Sequence, residues 1–194
     1  MQIYSNRPDR LKRATFVLSG ILLGTLAAGG VASRPAFAVP TEPSLTQAPE
    51  FIHGLWINSK PTTLAALKGK VVLVTFWTTG CINCRRTLPY WSDWAKRFTP
   101  HHDFAVITIH TPETPAERNP AVVRRFAQQH HLTFPILVDS NEKNWDAFGI
   151  RYWPTTILID KKGQIRGGWE GELNFNNSGL YHEVETQIEE LRQE

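Results

Sequence analysis

The sequence predicts a single α/β domain, a mixed central β-sheet flanked by helices. Three observations carry that expectation. Val71 to Trp77 is a β-branched and aromatic run of the kind that fills a strand covered on both faces. Strand-like and helix-like segments alternate after it, the order that builds a sheet with helices on both sides. Two further segments, Thr155–Ile159 and Gln164–Trp169, are joined across Asp160-Lys161-Lys162-Gly163, a hairpin signal that adds antiparallel strands to parallel ones.

The elements follow in order. A helix is expected from about Asn83 to Phe98, with Trp91, Trp94 and Phe98 at helical spacing as core residues. Phe104–Ile109 reads as a second strand. Asn119-Pro120 is a helix start, with Asn as the cap and Pro at the first helical position, and Val123, Phe126 and Ala127 form the apolar face behind it. Phe134–Val138 reads as a third strand, and Trp145–Phe148 with Gly149 as a short helix and its stop. Leu180, Val184, Ile188 and Leu191 share one face of a last helix. A chain of 194 residues holds one such domain and a tail, and a core of that size stands without staples.

The tail has its own logic. Arg7, Arg10, Lys12 and Arg13 precede an uncharged stretch from Ala14 to Ser33, and Ala36-Phe37-Ala38 supplies the small-x-small pattern cut by signal peptidases. Residues 1–38 are therefore expected to be a signal peptide or, uncleaved, an N-terminal anchor, the only membrane contact the sequence suggests. Four glycines in the stretch weaken it as a permanent span. Both alternatives place the domain outside the cytoplasm. Residues 39–50, with Pro40, Pro43 and Pro49, are expected to form an extended linker, and residues 51–194 the folded domain. The net charge of +3 comes from the tail. Beyond residue 38 the chain carries 16 Lys+Arg against 17 Asp+Glu, which leaves no basic surface for nucleic acid.

Cys81 and Cys84 are the only cysteines. An oxidising compartment favours their pairing. A bridge spanning two residues constrains the unfolded chain little, so a structural staple explains it poorly. Cys81-Ile82-Asn83-Cys84 leaves the buried strand and opens a helix, which brings the two Cα atoms to roughly 5–6 Å. The first cysteine then meets the free N–H groups and dipole of a helix start, which favour a thiolate, while the second lies one turn deeper. Half of a zinc site has the same spacing, but no second CxxC exists, and His101 and His102 are adjacent rather than at finger spacing.

Phe76-Trp77-Thr78-Thr79-Gly80-Cys81-Ile82-Asn83-Cys84 resembles the active-site segment of the thioredoxin-like superfamily, and its C-I-N-C core resembles the TlpA/DipZ-like branch. Pro89, five residues after Cys84, stands where thioredoxins carry the proline of the active-site helix. Trp153-Pro154-Thr155 resembles the segment holding their cis-proline. His110-Thr111-Pro112-Glu113 and Arg151-Tyr152-Trp153-Pro154 resemble signatures of the DipZ branch. The likeness runs from about Gly54 to Phe175.

The resemblance implies a thioredoxin fold and a thiol–disulfide oxidoreductase that needs no cofactor or metal. Cys81 would attack and Cys84 resolve, with Trp77, Trp153 and Pro154 as the substrate-binding residues. The substrates would be protein thiols and disulfides. TlpA- and DipZ-like relatives often act as reductants, for instance on cytochrome c haem-attachment thiols, which implies a separate membrane electron donor here. Thr75 and Thr87 occupy the positions where relatives carry the acid that takes the proton of the resolving cysteine, and Glu113 is a substitute by likeness alone. Arg85 and Arg86 are near enough to lower a thiol pKa, although such helix residues are more often solvated. A thiol peroxidase on the same fold is an alternative. Thr78 fits its pattern three residues before the reactive cysteine, but Val74 replaces the proline expected seven before it. A binding module with a locking disulfide is another.

Overall fold

The computed structural model describes residues 46–194. The expected leader over 1–38, and the expected linker as far as residue 45, lie outside the described residues.

Six strands form one sheet in the order β1-β4-β3-β2-β5-β6. Its centre is β2 (Val71–Trp77), in which every residue is buried. β2 runs parallel to β3 (Phe104–His110) and antiparallel to β5 (Thr155–Ile159). β3 is followed by β4 (Ile136–Val138) in parallel, and β1 (Leu55–Ile57) pairs antiparallel with β4 at the edge. β6 (Ile165–Glu170) closes the other edge against β5. The mixed sheet expected from the sequence is present, and β1 is an addition. Three residues at an edge leave too short an alternation to stand out in the sequence.

The alternation of β2 divides the core. Val71, Leu73 and Trp77 join one cluster with α1 (Ile82–Phe98), α2 (Pro120–Gln129) and α4 (Leu180–Gln193). Val72, Val74 and Phe76 join a second with Phe51, Leu64 and Ile150, against which Trp145 of α3 (Lys143–Ala147) packs. On the first face Trp91 and Trp94 are fully enclosed, and Trp91 Nε1 donates to Thr156 Oγ1 at 3.3 Å. Truncating a buried Trp of this kind typically costs about 3–5 kcal/mol, so α1 is firmly held on the sheet. Asn119 caps α2 as its residue type predicts, its side chain accepting from Ala121 N.

The domain begins earlier than the linker expectation allowed. Thr46 O accepts from Ile165 N, Gln47 bridges to Gln164, and Ala48, itself buried, donates to Gly163 O. Glu50 accepts main-chain hydrogen bonds from Leu64 and Ala65. Residues 46–50 are therefore part of the fold. Pro49 and the sparse apolar content suggested a spacer because backbone pairing to a hairpin turn has no hydropathy signature.

Candidate active site

β2 runs out at Trp77, and Thr78, Thr79 and Gly80 carry the chain to α1. Cys81 is the cap residue of that helix. Its Sγ accepts a hydrogen bond from Cys84 N at 3.1 Å, the place where Ser or Asp stands in other helices. The two cysteines form a disulfide with a Cα separation of 5.3 Å. Cys84 is fully enclosed in the α1-side core, whereas Cys81 is half-buried and its neighbour Ile82 is 58% exposed. The pair is thus asymmetric: one sulfur is reachable, and the other lies behind it. On reduction, the Cys84 N–H and the helix dipole at this cap favour the anion of the Cys81 sulfur.

The second wall comes from β5. Phe76 pairs with Thr155, so the chain entering β5 passes the end of β2 from which Cys81 departs. Pro154 is buried, its peptide bond with Trp153 is cis, and its carbonyl accepts from Gly171 N at 2.7 Å. Trp153 is half-buried against the cluster that contains Cys84, its ring 4.3 Å from that of Trp145. Tyr152 is 58% exposed.

Trp77 requires a correction. It was expected to bind substrate, but it is wholly buried, edge-on to His110 at 5.2 Å and packed on Phe126 at 5.4 Å. Its position as the last residue of a strand covered on both faces turns the indole inward. It supports the site from beneath and presents nothing to a substrate.

The acid of the site is also elsewhere. Glu113 is exposed, and the buried carboxylate is Glu117. Its Oε1 accepts from Thr79 Oγ1 at 2.5 Å and Gly80 N at 2.7 Å, and its Oε2 accepts from Glu113 N and Thr114 N, both at 3.0 Å, and from Thr114 Oγ1 at 3.3 Å. Burial alone would raise its pKa, but these donors, Thr79 foremost, outweigh burial and hold it down at about 2. The sequence carried a signal for it: Thr114-Pro115-Ala116-Glu117 has the spacing of a capping box, and that box is formed.

The remaining nearby groups are accounted for individually. Thr75 is buried, and its hydroxyl has no partner among the described residues; the Thr87 hydroxyl donates to Asn83 O at 2.9 Å. His110 is enclosed, and burial pushes it down to about 4 despite the attraction of Glu117. Arg85 is not merely solvated. Its Nε and Nη2 donate to Thr79 O at 3.2 and 3.0 Å, and its guanidinium lies 5.5 Å from the Phe126 ring centre. Arg86 instead pairs with Glu172 at 3.3 Å.

A thioredoxin fold with a CxxC disulfide at the start of the helix after its central strand defines the class, that of the thiol–disulfide oxidoreductases, in the TlpA/DipZ-like branch. Residues 45–167 match the model of the AhpC/TSA family, and the chain belongs to that family. DipZ of Mycobacterium bovis is 39% identical over 124 residues, 62% of this chain and 18% of DipZ, so the chain spans less than a fifth of that relative. The thiol-disulfide oxidoreductase ResA of Bacillus subtilis is 29% identical over 157 residues, covering 79% of this chain and 83% of ResA. The crystal structure of the exposed lipoprotein thioredoxin Etrx1 from Streptococcus pneumoniae superposes with a TM-score of 0.61 at 26% identity, covering 74% of this chain and 100% of that one.

Proposed function

We propose that the protein exchanges disulfides with protein substrates outside the cytoplasm, as a reductant, with Cys81 as the attacking and Cys84 as the resolving thiol. The observation that carries this is the asymmetry of the pair, with a reachable sulfur at a helix cap and a buried one a turn behind it.

In the reduced protein the Cys81 thiolate attacks one sulfur of a substrate disulfide. The substrate bond breaks, its other sulfur leaves as a thiolate and takes up a proton, and a mixed disulfide joins Cys81 to the substrate. Cys84 then gives up its proton and attacks Cys81 Sγ. That expels the second substrate thiolate, which is protonated in turn, and forms the Cys81–Cys84 bond. Two electrons and two protons have passed from the dithiol to the substrate. A separate membrane dithiol donor would restore the reduced pair by the reverse exchange. The Trp153 backbone would pair with an extended substrate segment, with Pro154 bordering the site. The export part of the proposal rests on the basic start and the Ala36-Phe37-Ala38 motif. The direction of electron flow rests on the resemblance to the TlpA/DipZ-like branch.

Exported Cys84→Ser protein should accumulate covalent adducts separable without reductant, and Cys81→Ser and the double variant should not. Equal trapping by both single variants would reverse the roles, and no adducts from either would leave a locked binding module. Intact mass in the same preparation should begin at Val39, whereas retention of Met1 would indicate an anchored protein. A reduction potential near −270 mV fits a reductant, and one near −120 mV an oxidant.

A further inference from the structure

Outside the sulfurs, one cluster near the site stands apart from the rest of the core. Glu117 is an enclosed carboxylate carrying five hydrogen bonds, and two of the donors, Thr79 Oγ1 and Gly80 N, belong to the two residues immediately before Cys81. A carboxylate so placed is a large commitment for a loop that a neutral side chain would also tether. A Cβ on Gly80 would lie 3.4 Å from Glu117 Oε1, ordinary contact distance. The carboxylate therefore rests against the peptide that delivers Cys81 to α1.

We propose that Glu117 is a positioning residue of the disulfide site: it locks Thr79 and Gly80 in place before Cys81 and holds a fixed negative charge against the peptide that leads into that residue, which disfavours the Cys81 thiolate and so stabilises the oxidised pair. The proposal rests on Cys81 being the attacking thiol. It deepens the reductant assignment, because a dithiol whose thiolate is destabilised surrenders its electrons more readily.

The other charged groups around the site do not cancel this anion. On α1, the Arg85 guanidinium donates twice to the Thr79 carbonyl and opposes the anion from the exposed side of the loop, where solvent weakens it, and Arg86 is turned to Glu172. On β3, His110 is held neutral near pH 7 by burial. After β3, Glu113 is exposed and only its main-chain N–H reaches Glu117, while Arg118 is turned to Glu142 and Ser140 O. Ahead of β5, Arg151 is exposed. The properties of Cys81 therefore reflect the balance between the helix-start donors and an enclosed anion tied to the residue before it.

The test uses the full chain. In a Cys84→Ser background, Glu117→Gln removes the charge while keeping an acceptor at the same place, and thiolate absorbance against pH reads Cys81. The pKa of Cys81 is expected to fall by about one unit. In the two-cysteine protein, the equilibrium with glutathione should move toward the dithiol by up to about tenfold, which is about 30 mV. Thr79→Val, which cuts one hydrogen bond and leaves the charge, should move neither value appreciably. A folded Glu117→Gln protein with an unchanged Cys81 pKa and unchanged equilibrium would overturn the charge role. Should that variant fail to fold, the parent protein still decides the clamp: the Gly80 amide should exchange slowly with solvent, and exchange at the unprotected rate would sink it. These readouts need no protein substrate. A Cys81 that responds to Glu117 in a protein that traps no adducts would therefore sink only the proposed function.

Discussion

Two segments converge on the disulfide, and they are built differently. Thr79 and Gly80 approach Cys81 from β2 and are held on three counts: the Thr79 hydroxyl and the Gly80 N–H donate to Glu117, and the Thr79 carbonyl accepts from Arg85. Tyr152, Trp153 and Pro154 approach from the β5 side held by neutral partners. The Tyr152 carbonyl accepts from Thr155 Oγ1, the Pro154 carbonyl accepts from Gly171 N, and Trp153 leans on Trp145. One segment fixes where a sulfur sits and what charge it feels. The other leaves aromatic surface in the open, which suits the substrate contact proposed for it. Precision and access are divided between the two sides of one disulfide.

The division breaks most severely at Glu117. Glu117→Ala removes the shared acceptor, stranding the buried Thr79 Oγ1 and taking the partner from the part-buried hydrogen bonds of the Gly80, Glu113 and Thr114 amides. Leaving several donors unpaired should cost about 3–4 kcal/mol, read as a lowered denaturant midpoint. A loss below about 1 kcal/mol would mean that water replaces the carboxylate without penalty and that the loop is not held as described.

The same side carries the pH response of the fold. The folded pKa of His110 is depressed to about 4 from an ordinary 6.5, so the unfolded chain binds the extra proton between those values. Stability from this group is present above about pH 6.5 and is lost as pH falls toward 4. Glu117, depressed to about 2 from 4.5, adds a second loss of the same sign in the lower window. From pH 7 to 4.5 the His110 contribution is about 2 kcal/mol. His110→Gln should flatten that upper limb and leave the lower one, as measured by urea midpoints at a series of pH values. An unaltered upper limb would assign the response to another group.

What was legible in the sequence follows from where information is local. Val71–Trp77 and the Leu180–Leu191 face carry their burial in their own periodicity, and both elements stand where expected. Cys81 and Cys84 are legible because chemistry and spacing coincide in four residues. Glu117 was passed over because its partners, Thr79 and Gly80, lie 38 and 37 residues away, and no local pattern announces that a capping-box acid will also hold a distant loop. Trp77 was misjudged for the converse reason. Its neighbourhood in the motif suggested substrate contact, but strand alternation points the indole into the core beneath the site.

The open wall gives the smallest effect on stability and a separate one on exchange. Tyr152 is more than half exposed, and its carbonyl, not its ring, makes the tie to Thr155. Tyr152→Ala removes little buried area, so the unfolding midpoint should shift by less than about 0.5 kcal/mol. If this aromatic contacts substrate, the second-order rate with a protein disulfide should fall by about tenfold, or about 1.4 kcal/mol of transition-state binding. The rate with a small disulfide such as oxidised glutathione, which is too short to lie along the wall, should change little. The contrast between the two substrates is the measurement. Equal losses with both would show that Tyr152 shapes the sulfur site itself, placing it with Thr79 and Gly80 on the positioning side. No loss with either would remove Tyr152 from recognition and leave Trp153 and the exposed Ile82 beside Cys81 as the apolar surface a substrate meets.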